Sequence, residues 1–303
     1  MSIIPRKIKK ERAWGEDKTL DPRWKSNGRL ARHRPYFFYE NADLVPCDAQ
    51  GYRVPSGYES ISKKYAENID NQTVFCYGGS TTFGVYCSYI ESYPHSLETI
   101  TGKASFNMGL QTFDLYGSLL SFLDHLRDGL VPKTAIFLDG VNENQGFLQS
   151  VIENRENYVA EFRQYSGFRD IILNGSFKHR FRNFFTLANP DVTEERDPCR
   201  FVREQALFYC RSQNIIVNIG KAYGVRTVFF LQPSVWDFWD DGSEDLRYTY
   251  LKSLYNQIMA LTKDVVIDIS TDVSLAPEYF YDWAHLSAEG NRQLAEMIAE
   301  RVF

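Results

Sequence analysis

The chain has 303 residues, enough for one large α/β domain or two small ones with a sizeable core. Hydrophobic residues make up 44%, charged residues 24% and aromatic residues 15%, which excludes a disordered or fibrous chain. The net charge of −5 argues against nucleic acid as the main partner, because phosphate binding draws on a basic surface.

The first residues, MSIIPRKIKKERAW, are basic but lack the apolar stretch of a signal peptide. No run elsewhere reaches the length of a transmembrane helix. The expectation is a cytoplasmic protein with no membrane span. Residues 1–70 are polar, mixed in charge and poorly periodic, and read as an irregular N-terminal extension packed on the core. From residue 73 the pattern changes. TVFCYGG is a β-branched and aromatic run ending in Gly-Gly, a buried strand entering a tight turn. SYPHSLETITG reads as a helix with a terminal Gly, and KASFNMG as a second strand. TFDLYGSLLSFLDHLRDGL is an amphipathic helix with Leu115, Leu119, Phe122, Leu123 and Leu126 on one face. KTAIFLDG is a third strand.

Residues 143 to about 200 break this rhythm with an aromatic and basic insertion. VREQALFYCRSQNIIVNIGKAYG is then a helix, VRTVFFLQP a fourth strand, LRYTYLKSLYNQIMALTK a helix and DVVIDIS a fifth strand. HLSAEGNRQLAEMIAERVF closes the chain as a helix. Alternating strands and helices predict a three-layer αβα sandwich around a central, mostly parallel five-stranded sheet, spanning residues 71–303. The five cysteines are Cys47, Cys76, Cys87, Cys199 and Cys210, an odd number with no C-x-x-C pair. That disfavours a disulfide framework and a zinc site, and reduced thiols fit the cytosol.

In such a sheet, function gathers at the C-terminal ends of the strands. After the first strand comes Gly78-Gly79-Ser80-Thr81-Thr82. After the second comes Asn107-Met108-Gly109, and after the third Gly140-Val141-Asn142-Glu143. Past the fifth comes Asp282-Trp283-Ala284-His285. Together these supply what acyl transfer requires. A serine hydroxyl on a Gly-rich turn is a weak nucleophile and needs a base, for which His285 is the candidate. Asp282, three residues earlier, is placed to fix the imidazole tautomer and stabilise the imidazolium. The Ser80 and Gly109 N–H groups and the Asn142 amide are candidate donors to an oxyanion.

These four segments resemble the blocks of the SGNH (GDSL-like) hydrolase superfamily, in order. G-G-S-T-T resembles the first block, with Gly79 where many members carry Asp. N-M-G resembles the glycine block, and G-x-N-E the G-x-N-D block with Glu143 in place of Asp. D-x-x-H-L-S-x-x-G resembles the last. The resemblance covers roughly residues 73–142 and 224–303 and implies an SGNH/flavodoxin-like fold. It implies Ser80 as nucleophile and first oxyanion donor, Gly109 and Asn142 as further donors, His285 as base and Asp282 as its orienting acid. Asp48-Ala49-Gln50-Gly51-Tyr52-Arg53 resembles a G-[FY]-R stretch that precedes the first block in many bacterial members, and no role attaches to it.

The remaining candidates have bland readings beside functional ones. His125 is expected at the surface or a boundary, His95 in packing, and His33 and His179 in solvated basic stretches. None has metal-ligand spacing, so neither a metal nor a cofactor is expected. Asp139, Asp237 and Asp240 raise the paired carboxylates of a glycosidase, against plain loop solvation. Trp236, Trp239 and Trp283 are candidate walls of a substrate cleft, and Arg180 and Arg182 in the insertion would favour an anionic substrate. The combined expectation is a serine esterase acting on small, acetyl-like acyl esters of a small molecule or glycan. The alternatives are an O-acyltransferase using the same triad and a non-catalytic carbohydrate-binding module.

Overall fold

A computed structural model of the chain describes residues 26–31, 34–39, 45–69, 72–144, 198–235, 246–262, 265–270 and 275–303. Five strands form the central sheet: β3 (Val74–Gly78), β4 (Ser105–Asn107), β5 (Thr134–Asp139), β6 (Arg226–Leu231) and β7 (Val266–Asp268). Their order is β4-β3-β5-β6-β7 and every pairing is parallel. All residues of β3, β4 and β5 are buried. This is why these segments read as continuous apolar runs rather than alternating ones: helices cover both faces of a parallel sheet.

The register aligns Tyr77 on β3 with Phe137 on β5, and Phe137 with Phe229 on β6. Their rings stack across the sheet at centroid distances of 4.9 and 5.0 Å. Phe122 of α4 (Leu115–Arg127) meets Phe137 edge-on at 5.7 Å. Aromatic rows of this kind hold register through cross-strand contact.

Helix α3 (Tyr93–Thr101) packs against α7 (Ala288–Val302), the closing helix that Ser287 caps. Helix α4 packs on α5 (Pro198–Tyr223), and α5 on α6 (Leu246–Thr262). Helices thus cover both faces, and the molecule is the expected α/β sandwich. Helix α5 begins at Pro198 and so takes in the last residues assigned to the insertion.

The chain's first sheet strand, β3, lies inside the sheet, with β4 on one side and β5 on the other. The connections leaving β3 and β5 therefore run in opposite directions and open a crevice at the strand ends, where α/β folds bind ligands. Ser80 follows β3 and Asn142 follows β5.

The N-terminal segment carries more regular structure than its polar composition suggests. Strands β1 (Ser26–Ala31) and β2 (Arg34–Tyr39) form an antiparallel hairpin. Helix α1 (Ile61–Glu67) is capped by the Ser60 hydroxyl, which accepts from the Lys63 N–H at 3.2 Å. Tyr52, Val54, Ile61 and Tyr65 join the main core.

Two sequence expectations on α4 and one beside it are corrected. His125 is buried, not at the surface: its Nδ1 lies 3.1 Å from the Tyr77 hydroxyl. Leu123 instead faces solvent. The two flank the same apolar stripe, so periodicity alone does not say which turns inward. Asp139 is not a solvated loop carboxylate but a buried one. Among the described residues, no helix is long and apolar enough to cross a membrane.

Candidate active site

The Gly78-Gly79 turn ends β3 and delivers Ser80 as the first residue of α2 (Ser80–Phe83). Gly78 has φ +150°, and a Cβ there would lie 2.3 Å from Thr82 Oγ1 and 2.4 Å from the Leu138 carbonyl. Only glycine lets the chain turn this tightly against β5. The Ser80 N–H belongs to the first turn of α2, where N–H groups have no intrahelical acceptor.

Opposite it stands the loop before α7. Asp282 Oδ1 accepts the backbone N–H groups of Ala284 and His285, both at 2.8 Å, which fixes the carboxylate on its own turn. Asp282 Oδ2 lies 2.6 Å from His285 Nδ1, and His285 Nε2 lies 2.8 Å from Ser80 Oγ. Burial pushes the Asp282 carboxyl upward. The facing His285 charge and the hydrogen bonds from His285 Nδ1 and the two N–H groups outweigh it, and the group sits below its ordinary value. An ionised carboxylate only accepts, so Nδ1 carries a proton and Nε2 presents its lone pair. Ser80 Oγ–H then donates to Nε2. Sequence separates Ser80 from its partners by about two hundred positions, and the fold sets them in one hydrogen-bonded chain.

Further hydrogen bonds hold the His285 loop against α2 and the turn that follows it. Thr81 Oγ1 donates to the Ala284 carbonyl at 3.1 Å and accepts from Gln232 Nε2 at 2.7 Å. Tyr255 in turn donates to the Gln232 carbonyl at 2.6 Å. Cys87 Sγ donates to the Leu286 carbonyl at 3.3 Å, and Asn291 Nδ2 to the same oxygen at 3.2 Å. Burial pushes the Cys87 thiol up to about 12, so it stays protonated at neutral pH. Sequence reading missed Thr81, Gln232 and Asn291. Their only signal is a polar residue beside a motif, which loops also supply.

Asn142 opens a short 3₁₀ turn after β5. Its Nδ2 donates to the Phe113 carbonyl at 2.6 Å, leaving the second N–H of the amide for another acceptor. The same nitrogen would stand 2.2 Å from a Cβ on Gly79, so the amide lies directly over the residue before Ser80. Gly109 packs on the backbone of α2: a Cβ there would meet Phe83 N at 2.4 Å. Its N–H donates to Asn107 Oδ1 at 3.1 Å.

Beside Asn142, Glu143 is buried and accepts the Leu115 N–H at 2.7 Å. Burial first, and then the charge of Asp114, pushes its carboxyl up to about 7. Burial and the neighbouring Glu143 hold Asp139 well above the usual carboxylate range. Trp283 is half-buried against the core, and its carbonyl accepts the Val235 N–H at 2.9 Å. Trp236, Trp239, Asp237, Asp240, Arg180, Arg182, His33 and His179 lie outside the described residues, as does most of the insertion. Among the described residues, no group of three or more His, Cys, Asp and Glu is arranged to hold a metal ion.

No protein-family model matches the chain, and no curated protein does. Solved structures do. An acetyl xylan esterase is 14% identical, with a TM-score of 0.47 over 76% of this chain and 100% of that one. A member of the lipolytic G-D-S-L family from Veillonella parvula is 14% identical, with a TM-score of 0.45 over 76% and 97%. An aryl esterase of M. smegmatis is 13% identical, with a TM-score of 0.46 over 76% and 98%. Likeness at this level concerns the fold alone.

Proposed function

We propose that the chain is a serine esterase of the SGNH type, with Ser80 as nucleophile, His285 as base and Asp282 as the acid that orients it. The observation that carries this reading is the unbroken chain from Asp282 Oδ2 through His285 to Ser80 Oγ, at 2.6 and 2.8 Å. Ion pairs of His and Asp are common on surfaces. A pair whose free imidazole nitrogen meets a serine at the start of a helix, in the crevice of a parallel sheet, is what nucleophile activation requires.

In this reading the cycle is as follows. Ser80 Oγ attacks the ester carbonyl while its proton passes to His285 Nε2. Asp282 stabilises the resulting imidazolium. The tetrahedral oxyanion takes the Ser80 N–H and the free N–H of the Asn142 amide. Gly109 serves as third donor once its N–H turns from Asn107 to the substrate. Collapse expels the alcohol, protonated by the imidazolium. Water then gives a proton to His285 and attacks the acyl-Ser80 carbonyl, and the second tetrahedral intermediate collapses to the acid as the imidazolium returns that proton to Ser80 Oγ. No step draws on a cofactor.

Short acyl esters, acetyl above all, are the substrates to test first. Wild type and Ser80→Ala are compared on p-nitrophenyl acetate, butyrate and octanoate. The expected result is turnover of the short esters by wild type and a loss of at least about 1,000-fold in the variant. Equal rates for the two proteins refute Ser80 as nucleophile.

A further inference from the structure

The Gly51-Tyr52-Arg53 stretch plays no part in the site as described, yet Arg53 is fully buried, at 0% exposure. A guanidinium is costly to remove from water unless its donors are satisfied. Its Nη1 donates to three main-chain carbonyls: Phe83 at 3.1 Å, Gly84 at 3.0 Å and Cys87 at 2.9 Å. The guanidinium also lies 5.3 Å from the centroid of the Phe83 ring. All three carbonyls belong to the turn that leaves α2, the helix that begins with Ser80.

The local chain explains how Arg53 arrives there. Asp48 Oδ1 accepts the N–H groups of Gln50 and Tyr52, and the Gly51 N–H returns to the Asp48 carbonyl at 3.0 Å. Arg53 then pairs with Cys47 across this tight turn. Successive residues on extended backbone point to opposite sides. Tyr52 turns to α4, where its hydroxyl donates to Ser121 Oγ at 3.2 Å, and Arg53 turns to the loop after Ser80.

Within that loop, between the clamped Gly84 and Cys87, Tyr86 has φ +70°. This is uphill for a tyrosine and persists where the surroundings impose it. The Tyr86 ring stands perpendicular to the His285 imidazole, 80° apart with centroids at 5.3 Å. It also meets Tyr281, four residues before His285, edge-on at 6.2 Å. A ring against an imidazole limits its rotation.

We infer that Arg53 is a positioning residue for the Ser80–His285 pair: its guanidinium holds the 83–87 turn in the strained shape that presses Tyr86 onto His285. The inference rests on the serine-esterase reading for its purpose, but not for its geometry. Arg53 touches no reacting atom and acts through Tyr86.

The test has two readouts, one independent of turnover. The first is the low-field proton resonance of His285 Nδ1–H, assigned by its absence in His285→Gln. The second is the rate at which a fluorophosphonate labels Ser80. Thermal unfolding shows which variants are folded. In Arg53→Gln and Tyr86→Leu the resonance is expected to shift or broaden, and labelling to slow on the order of 100-fold, the cost of a misplaced reacting group. The double variant is expected to be no slower than the slower single one, because both changes break one path. Folded variants with wild-type resonance and wild-type labelling overturn the inference, and so do single effects that multiply in the double variant. If Arg53→Gln does not fold, Tyr86→Leu decides: wild-type behaviour there removes the step through which Arg53 acts. A wild-type chain that shows the resonance but takes no label sinks the esterase reading, while the response of the resonance still tests the positioning.

Discussion

Replacing Glu143 by Gln should remove a pH dependence of stability that the structure builds in. Glu143 and Asp139 are both buried, and one oxygen of each, Oε2 and Oδ2, has no hydrogen-bond partner among the described residues. Asp114, Ser118 and Tyr209 face them from α4 and α5, and none brings a positive charge. The Glu143 carboxyl is raised from 4.5 to about 7. In the unfolded chain the group ionises near 4.5, while in the fold it keeps its proton until about 7. The stabilisation is therefore complete below pH 4.5 and is lost as pH rises to about 7. A rise from 4.5 to about 7, at roughly 1.4 kcal/mol per pH unit, amounts to about 3 kcal/mol. Glutamine keeps an oxygen for the Leu115 N–H and has no charge to bury. Urea unfolding of both proteins between pH 4 and pH 8 should show the variant gaining about 3 kcal/mol on wild type across that range. A stability difference constant to within about 1 kcal/mol across it would refute the claim that Glu143 is held protonated by burial.

Three further outcomes follow from the site. Asp282→Asn presents an amide to His285 Nδ1 and favours the wrong tautomer, so kcat should fall by roughly 10⁴ with folding intact; a drop under tenfold would remove Asp282 from the triad. Gly79→Ala puts a Cβ 2.2 Å from Asn142 Nδ2 and forces that amide aside. Steady-state kinetics should show kcat down by about 10²–10³ with KM little changed, as for loss of one oxyanion donor. Thr81→Val keeps the shape but removes the hydroxyl that links Gln232 Nε2 to the Ala284 carbonyl and leaves that pair its direct 3.5 Å contact. Denaturant unfolding should show a loss of about 1–3 kcal/mol, and an unchanged midpoint would deny the contact any weight.

What the sequence made legible follows from which interactions are local. Strands β3, β5 and β6 are apolar on both faces because helices cover both, and a continuous run such as TVFCY or TAIFL records that directly. Ser80, Asn142 and His285 stand at strand ends or in the loop before the last helix, where polar residues in a set order are conspicuous. What stayed hidden depends on distance in the chain. Arg53 reaches its acceptors across 30 to 34 positions, and no spacing rule links a turn to a loop that far on. The Asn142–Gly79 approach joins two strand ends that neighbour each other only because β3 and β5 pair. His125 turns inward for another reason: it flanks the apolar stripe of α4 as Leu123 does, and the polar partner that draws it in, Tyr77, lies on a different element.

The two departures from the SGNH pattern meet at one residue. Gly79 removes the side chain that would occupy the space over which the Asn142 amide lies, so Asn142 can donate to Phe113 and still face the residue before Ser80. Glu143 reaches the Leu115 N–H and so ties the turn carrying Asn142 to the start of α4, two residues beyond that Phe113 carbonyl. One departure opens the place for the amide and the other holds the backbone that supplies its acceptor. Each is then of limited use alone: an Asp at position 79 would push the amide off Phe113 whatever held the turn. A shorter carboxylate at 143 would leave the Leu115 N–H without the acceptor it now has, and the Phe113 carbonyl less fixed. In the proposed reaction that coupling bears on kcat more than on binding, because the Asn142 amide meets its charge only when the oxyanion forms.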